Sequence, residues 1–250
     1  MSGSFYAAFA PYYSRFRADS FDRGRKYIDI IIDSEGWGRE EISVLDLGCG
    51  TGDLVMHMCS RGWTARGVDS SAEMISIATG GLSNDIFVKG DICEPPIGGS
   101  YDLVVCFGDT VNHLVEAGDW LRLFKTVNRL LEGKGVFCFD VVTPYDHCEI
   151  WPNNVEIAEE PGCTLIARGE RRDPDVFVQI YTWFHRSGSL WRRSREELCH
   201  VSFPLSAISE WLADAGFFVQ YILDGDTLDE PSQTATRWFV CAKAAGCAHE

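Results

Sequence analysis

Apolar and polar positions follow two different rhythms along this chain. From 42 to 141, short apolar segments alternate with amphipathic ones, which is typical of a parallel sheet with helices on both faces. Apolar side chains recur at helical spacing within 18–34 and within 117–131, so both ranges predict helices. The apolar face of the first helix carries Phe21, Tyr27, Ile28, Ile31 and Ile32. The apolar face of the second carries Trp120, Leu121, Phe124, Val127, Leu130 and Leu131.

Helical spacing is absent between about 145 and 203, where the pattern alternates with a period of two. This rhythm predicts antiparallel strands joined by turns rich in Pro, Gly, Asp and Ser. The four predicted strands are Val155–Glu159, Cys163–Glu170, Val176–Arg186 and Leu190–Ser202. After them we expect a helix over Pro204–Ala215 and strands over Gly216–Leu223 and Arg237–Lys243.

The first strand of the alternating part runs into the glycine-rich segment 48–52. Glycine lets a backbone turn sharply and approach a ligand closely, so a strand, this turn and a following helix predict a site for a nucleotide-type cofactor. The dinucleotide fingerprint would place a small residue where Asp53 stands, and Asp46 precedes the turn. Two carboxylates repel a pyrophosphate and attract a cation. The pattern therefore favours S-adenosylmethionine over NAD or FAD.

Three further motifs follow at the expected intervals. A second strand, 64–69, ends in Asp69, and hydroxyl side chains precede the next helix. A third strand is followed by Asp91, and 101–107 predicts a fourth. With segment 44–52, this order resembles the class I S-adenosylmethionine-dependent methyltransferases over about 5–143 and 203–243.

The resemblance implies a fold, a domain organisation and a cofactor. The fold is a doubly wound, seven-stranded Rossmann-like α/β sheet with its last strand antiparallel, plus an inserted antiparallel β lid. The cofactor domain would comprise 1–144 and 203–250, and the lid 145–202. The cofactor would be S-adenosylmethionine, with Asp69 on the ribose hydroxyls, Asp91 on the adenine amino group and Ile92 on the ring. The full predicted set is Tyr13, Asp46, Gly48, Cys49, Gly50, Gly52, Asp69, Ser70, Met74, Asp91, Ile92, Phe107 and Gly108.

The segment 6–16 resembles the Y-D-x-L-A-x-x-Y-D-x-L opening of small-molecule methyltransferases, which folds over the active site. Tyr6 and Tyr13 match its tyrosines and are candidate catalytic residues, whereas Ala7 and Ser14 replace its acids. The alternative is an aromatic patch that packs on the core.

The segment 106–114 resembles a turn of deoxysugar-amine N-methyltransferases that carry a β insert. The resemblance makes Asp109, Asn112 and His113 candidates for substrate contact, and a neutral imidazole at His113 can accept a proton. The alternatives are that Asp109 caps a helix and that His113 bonds to backbone at a helix start. We take His113 and Asp109 as candidate catalytic residues.

Composition limits the classes of partner that the chain is expected to bind. A net charge of −15 disfavours nucleic acid and anionic membrane surfaces, and no apolar run reaches the length of a membrane span. The opening carries no signal-peptide pattern, and the cysteines suit a reducing cytosol, so we expect a cytoplasmic location. Neither cysteines nor histidines show zinc-ligand spacing, so no metal is expected.

The expected activity is methyl transfer to a small molecule, with nitrogen acceptors ahead of oxygen or carbon. The alternative is a non-catalytic cofactor-binding assembly module. The inserted strands form either a lid over the cofactor mouth, which we favour, or the surface of a homodimer. Their arginines either face an anionic substrate or are solvated.

Overall fold

The computed structural model describes residues 3–38, 41–81, 85–173 and 176–246. The helices are α1 Gly3–Phe16, α2 Ala18–Glu35, α3 Asp53–Ser60, α4 Ala72–Ala78, α5 Ala117–Leu130 and α6 Leu205–Asp214. The first strands are β1 Ser43–Leu47, β2 Thr64–Asp69, β3 Phe87–Lys89, β4 Leu103–Cys106, β5 Val136–Val142 and β6 Val155–Glu160. The remaining strands are β7 Cys163–Asp173, β8 Val176–Ser187, β9 Leu190–His200, β10 Phe217–Asp224 and β11 Arg237–Ala244. Short helical turns span Thr110–His113, Asp146–Ile150 and Trp151–Asn153.

Seven strands form one sheet in the order β10-β11-β5-β4-β1-β2-β3. β11 is antiparallel to both of its neighbours, and the other pairings in this sheet are parallel. The predicted fold is confirmed, including the antiparallel last strand. The strand order changes direction at β1, because β2 and β3 lie on one side of it and β4 lies on the other. In such sheets, ligands bind at the carboxyl ends of the strands at this switch point.

Helices cover both faces of the seven-stranded sheet. On one face, Tyr27, Ile28 and Ile31 of α2 pack with side chains of β1, β4, β5 and β11. On the other face, α5 and α6 bury Trp120 and Leu212. The predicted apolar faces of α2 and α5 are largely confirmed, because most of their members are buried. Among the described residues, no helix combines the length and the apolar character that crossing a membrane requires.

The strands β6 to β9 form a second, antiparallel sheet. One face of it packs on α1, where Phe9 meets Trp183 edge-on with ring centroids 5.7 Å apart. Tyr181 lies on the same face, two positions before Trp183. The division into domains at 145 and 202 remains a prediction, although all four strands fall between these positions.

The sequence prediction left two details of the structure unspecified. The aromatic N-terminal segment, for which we predicted no element, is the helix α1 and has Pro11 inside it. In addition, the sequence did not indicate which face of β8 packs on α1, and the structure shows that Trp183 and Tyr181 lie on this face. The strand β8 is apolar on both faces, and periodicity alone cannot tell which face is covered.

Candidate active site

Neighbouring side chains pack closely against two glycines of the turn after β1. Gly48 and Gly52 have φ angles of +81° and +82°, a region that L side chains rarely adopt. A Cβ atom on Gly48 would lie 2.5 Å from the Thr110 side chain, and one on Gly52 would lie 2.5 Å from the Phe87 ring. Both positions therefore require glycine. Gly52 packs against the protein and does not line either cavity described below.

Asp69 at the end of β2 ties the glycine turn to the start of α4. Its Oδ2 atom accepts a hydrogen bond from the Gly50 N–H at 2.9 Å, and its Oδ1 atom accepts one from the Ser71 N–H at 2.8 Å. Ser71 is the N-cap of α4, since its Oγ atom accepts from the Met74 N–H. A carboxylate offers about four lone-pair positions. Two positions thus remain on Asp69 for a ligand.

A cavity of about 490 Å³ opens beside these residues at the carboxyl ends of the strands. Its volume lies within the range of about 300–1,000 Å³ that is typical of small-molecule sites. Predicted cofactor residues that line it are Tyr13, Gly48, Gly50, Asp69, Ser70, Met74, Asp91, Ile92 and Gly108, and the predicted catalytic residue His113 lines it too. Lining residues that the predicted set missed are Lys89, Gly90, Thr110 and Leu114. The structure thus brings together most of the predicted cofactor residues with one predicted catalytic histidine.

A second cavity of about 210 Å³ adjoins the first at the glycine turn. The two cavities share Tyr13, Gly48, Gly50 and Gly108. The second cavity adds Asp46, Cys49 and Phe107 from the predicted set, and Arg17 among the residues that this set missed. We refer to the two cavities together as the cleft, and acids line both of them.

The C-terminal part of α1 lies over this cleft. The Ser14 hydroxyl is 3.0 Å from the Thr51 hydroxyl, and it donates a hydrogen bond to Asp53 at 3.2 Å. Tyr13 lines both cavities, and burial raises the pKa of its phenol to about 12, so the phenol stays protonated at neutral pH. Tyr6 belongs to α1, but its side chain lies outside the described residues.

Asp91 and Ile92 also line the first cavity and lie after β3, separated from it by Gly90. The Asp91 Oδ1 atom accepts a hydrogen bond from the Cys93 N–H at 2.8 Å, which holds the carboxylate in the turn. Ile92 is buried apart from its surface toward the cavity. An acid and an apolar side chain thus lie next to each other in the wall of the cleft.

Asp46 is a buried acid at the carboxyl end of β1 that lines the second cavity. Burial, with the nearby charge of Asp69, raises its pKa from 3.8 to about 7. Ionised Asp46 is therefore costly in the folded protein, and a cationic ligand group in the cleft would offset this cost.

We expect the Asp46→Asn variant to be more stable than the wild type at pH 8 in the absence of cofactor. Because folding raises the pKa, the carboxylate destabilises the fold increasingly as pH rises from about 4 through 7. The stability gain should reach roughly a few kcal/mol at pH 8 and shrink toward pH 5. Urea denaturation at both pH values measures it, and calorimetry should show weaker binding of S-adenosylmethionine. A gain that does not change between pH 8 and pH 5 would contradict the assignment.

Asp109 lies beside the cleft in a buried ion cluster. Arg237 of β11 contacts the Asp109 carboxylate, and its Nη1 atom lies 3.0 Å from Oδ2 of Asp140 in β5. Burial opposes ionisation of Asp109, but the Arg237 guanidinium outweighs burial and holds the pKa of this carboxyl well below its usual range. Asp109 occupies the N-cap position of the turn Thr110–His113 at a φ angle of +62°, without a capping hydrogen bond from its side chain. Its predicted substrate contact stays a prediction, since the residues that line the first cavity do not include it.

His113 enters the cavity wall from that turn. Burial lowers the pKa of its imidazole, while Asp109 and a hydrogen bond with the Cys199 backbone act in the opposite direction. The ring is therefore neutral at pH 7. The neighbouring Asn112 is fully buried, and its side-chain amide donates to the carbonyls of Val142 and Val201 at 3.2 and 2.8 Å. Asn112 thus connects the turn to β5 and to the end of the second sheet.

Comparisons with known proteins agree with this geometry. Residues 44–135 match the family described as the methyltransferase domain. YqeM of Bacillus subtilis (strain 168) is 27% identical over 244 residues, which are 95% of this chain and 96% of YqeM. The crystal structure of a S-adenosylmethionine-dependent methyltransferase from Clostridium acetobutylicum ATCC 824 superimposes with a TM-score of 0.82 at 24% identity, and covers 97% of this chain and 100% of that one.

A sugar N-methyltransferase, KedS8 from Streptoalloteichus sp ATCC 53650, has the same fold. Its TM-score is 0.74 at 20% identity, with 92% of this chain and 91% of that chain covered. The resemblance predicted from the sequence is confirmed: residues 44–135 match the methyltransferase domain, and the chain has the fold of this S-adenosylmethionine-dependent methyltransferase.

Proposed function

We propose that this S-adenosylmethionine-dependent methyltransferase moves a methyl group to a nitrogen atom of a small molecule by in-line displacement. The observation that carries the proposal is a single cavity whose wall contains both the Asp69 carboxylate and the His113 imidazole. An acid suited to ribose hydroxyls and a neutral base therefore face the same space. The sugar N-methyltransferase KedS8, with its similar fold, supports a nitrogen acceptor.

The residues that line the cleft support binding of this cofactor. The free lone pairs of Asp69 suit two ribose hydroxyls, and Asp91 with Ile92 suits the amino group and the ring of adenine. In the second cavity, Asp46 offers a negative charge to the positively charged part of the cofactor, and Arg17 offers a positive charge to the cofactor's carboxylate. When bound, the cofactor supplies an electrophilic methyl group on a sulfonium.

The protein's own contribution is placement and proton removal. Holding an acceptor in line contributes about 7–11 kcal/mol in well-oriented intramolecular reactions. An acceptor ammonium has no lone pair until it loses a proton, and neutral His113 in the cavity wall can take that proton. The protonated phenol of Tyr13 adds a polar oxygen over the same cleft.

We expect the purified protein to transfer labelled methyl from S-adenosylmethionine to an amino sugar nucleotide and not to its matched hydroxyl counterpart. Mass spectrometry of the two acceptors, incubated in parallel, measures the transfer. The physical reason is that an amine gains a strong lone pair after losing one proton, whereas an alcohol remains a weak nucleophile. Methylation of the hydroxyl compound alone would refute the nitrogen acceptor.

The His113→Gln variant provides the internal check. We expect its transfer rate to fall about 10²-fold, since a positioned general base contributes typically about 10²–10⁴-fold. The affinity for S-adenosylhomocysteine should change little. The matched control is His185→Gln in β8, whose ring lies 5.9 Å from that of Tyr12. Equal rates for wild type and His113→Gln would leave His113 with a structural role only.

The second sheet is proposed to act as the lid on the acceptor side. Arg17, directly after α1, donates a hydrogen bond to the Tyr181 hydroxyl at 2.8 Å. This bond connects the helix that lies over the cleft with β8. A homodimer through this sheet is the second interpretation. The absence of nucleic-acid partners and the cytoplasmic location remain predictions from charge and composition.

A further inference from the structure

Three histidines from distant parts of the chain meet behind the cavity wall. His113 ends the turn after β4, His200 ends β9, and His147 lies in the turn Asp146–Ile150. The ring centroids of His113 and His200 are 4.2 Å apart, and those of His147 and His200 are 5.9 Å apart. Trp151 packs against both His147 and His200, at 4.4 and 4.9 Å. The cluster bridges the seven-stranded sheet and the second sheet.

His200 and His147 are buried in an unusual way. Their exposed fractions are 2% and 0%, and within the described part of the chain neither ring nitrogen of either residue has a hydrogen-bond partner. A buried polar group without a partner costs about 1–3 kcal/mol. Neutral imidazole has one donor and one acceptor nitrogen. Each ring therefore holds an unused acceptor in a dry environment.

The backbone holds His200 beside His113. The Val201 N–H donates to the Asn112 carbonyl at 2.9 Å, so the residue after His200 is bonded to the residue before His113. The Asn112 side chain bonds the Val201 carbonyl in addition. His113 is also hydrogen-bonded to the backbone of Cys199. This reciprocal pairing keeps the two rings in contact.

The charged groups around His200 come from several elements. Burial and the neighbouring His113 and His147 lower the pKa of His200, as does Arg17, whereas Asp109 acts in the opposite direction. Burial likewise lowers the pKa of His147 to about 3, with Asp109 and Arg237 acting in opposite directions. Both rings are neutral at pH 7. Asp109 favours a proton on all three rings, and the hydrogen bond with the Cys199 backbone favours one on His113.

Resting on the proposed function, we propose that His200 is a positioning residue that accepts a hydrogen bond from His113 once His113 holds the proton of the acceptor ammonium. The ammonium N–H bond breaks and leaves its electron pair on the acceptor nitrogen, while the imidazole lone pair of His113 forms the new N–H bond. A ring nitrogen of His200 then accepts a hydrogen bond from this imidazolium and stabilises its positive charge. Without His200, Asp109 and the hydrogen bond with the Cys199 backbone would stabilise the buried imidazolium less fully.

Nuclear magnetic resonance of ¹⁵N-histidine-labelled protein with S-adenosylhomocysteine tests this proposal without a methyl acceptor. In the wild type, we expect the His200 ring signals to shift as His113 titrates, because the new hydrogen bond selects one His200 tautomer. In His200→Phe, the measured pKa of His113 should fall by about one to two units, a 10- to 100-fold loss of proton affinity. His200→Gln should recover part of it, because its amide oxygen can accept.

The control is His185→Phe, the same substitution on β8, which should leave the His113 titration unchanged. His200 signals that ignore the His113 titration in the wild type would overturn the proposal, even if His200→Phe fails to fold. An unchanged His113 pKa in folded His200→Phe would also overturn it. Failure of methyl transfer to amines would refute the proposed acceptor and leave this titration result standing.

Discussion

Replacing Arg237 with methionine is expected to lower the free energy of unfolding by about 3–5 kcal/mol. The Arg237 side chain is 12% exposed, and it is paired with Asp109 and Asp140, whose side chains are 14% and 2% exposed. Methionine would leave two buried carboxylates facing each other with no cation between them, because the Asp109 N–H bonded to Asp140 Oδ1 at 3.2 Å keeps them adjacent. Urea denaturation at pH 8 measures the loss.

The pH dependence and a matched control make this prediction specific. In the wild type, the depressed pKa of Asp109 keeps its carboxylate ionised, so the carboxylate stabilises the fold even at low pH. In Arg237→Met the unpaired carboxylates take up protons as pH falls, so the difference between the proteins should shrink from pH 8 to pH 5. Arg25→Met, which removes the exposed pair with Asp22 at 3.6 Å, should cost at most about 1 kcal/mol. Equal losses in both variants would show that burial of the cluster is unimportant.

The seven-stranded sheet could be predicted because its determinants are local in sequence. A strand, the glycine turn at 48–52 and a helix specify one βα unit, and the acid at the end of β2 identifies the next strand. The side chains at strand ends then converge at one edge of the sheet. For this reason, Asp69, Asp91 and the glycines lie together as the pattern predicts.

The helix α1 could not be predicted from its own pattern. It carries Pro11 and has no acidic residue in its first turn, so local propensity argues against it. Its stability comes from tertiary contacts, in which Phe9 is 1% exposed against Trp183. Those contacts exist only because the second sheet lies above it.

The part of the site that sequence reasoning missed is the part that depends on distant segments. Arg237 reaches Asp109 only through the pairing of β11 with β5, and His200 reaches His113 only through the end of β9. Arg17 was not predicted as a site residue because it lies just after the aromatic segment 6–16 and belongs to no motif. One signal was available: Arg237 opens a strand whose next five residues carry no charge, and a buried arginine requires an acid partner.

Replacing Asp69 with alanine is expected to weaken the binding of S-adenosylhomocysteine by about 10²- to 10⁴-fold. Its carboxylate accepts from Gly50 and Ser71 and keeps two lone-pair positions toward the first cavity, where two ribose hydroxyls would donate. A hydrogen bond to a charged group contributes about 1.5–3 kcal/mol, so two such bonds give this range. Calorimetry measures the affinity, and Asp85→Ala, which removes an exposed acid, should leave it unchanged.

The loss in Asp69→Ala has two physical sources that a second ligand separates. One source is the missing ribose bonds, and the other is the freed N–H groups of Gly50 and Ser71, which would loosen the turn. The 2′-deoxy analogue of S-adenosylhomocysteine lacks one hydroxyl, so it should bind the wild type at least tenfold more weakly than the parent compound. In Asp69→Ala the two compounds should bind equally, because the partner of that hydroxyl is gone. If the analogue loses the same factor in both proteins, Asp69 does not contact the ribose, and its role is to hold the turn.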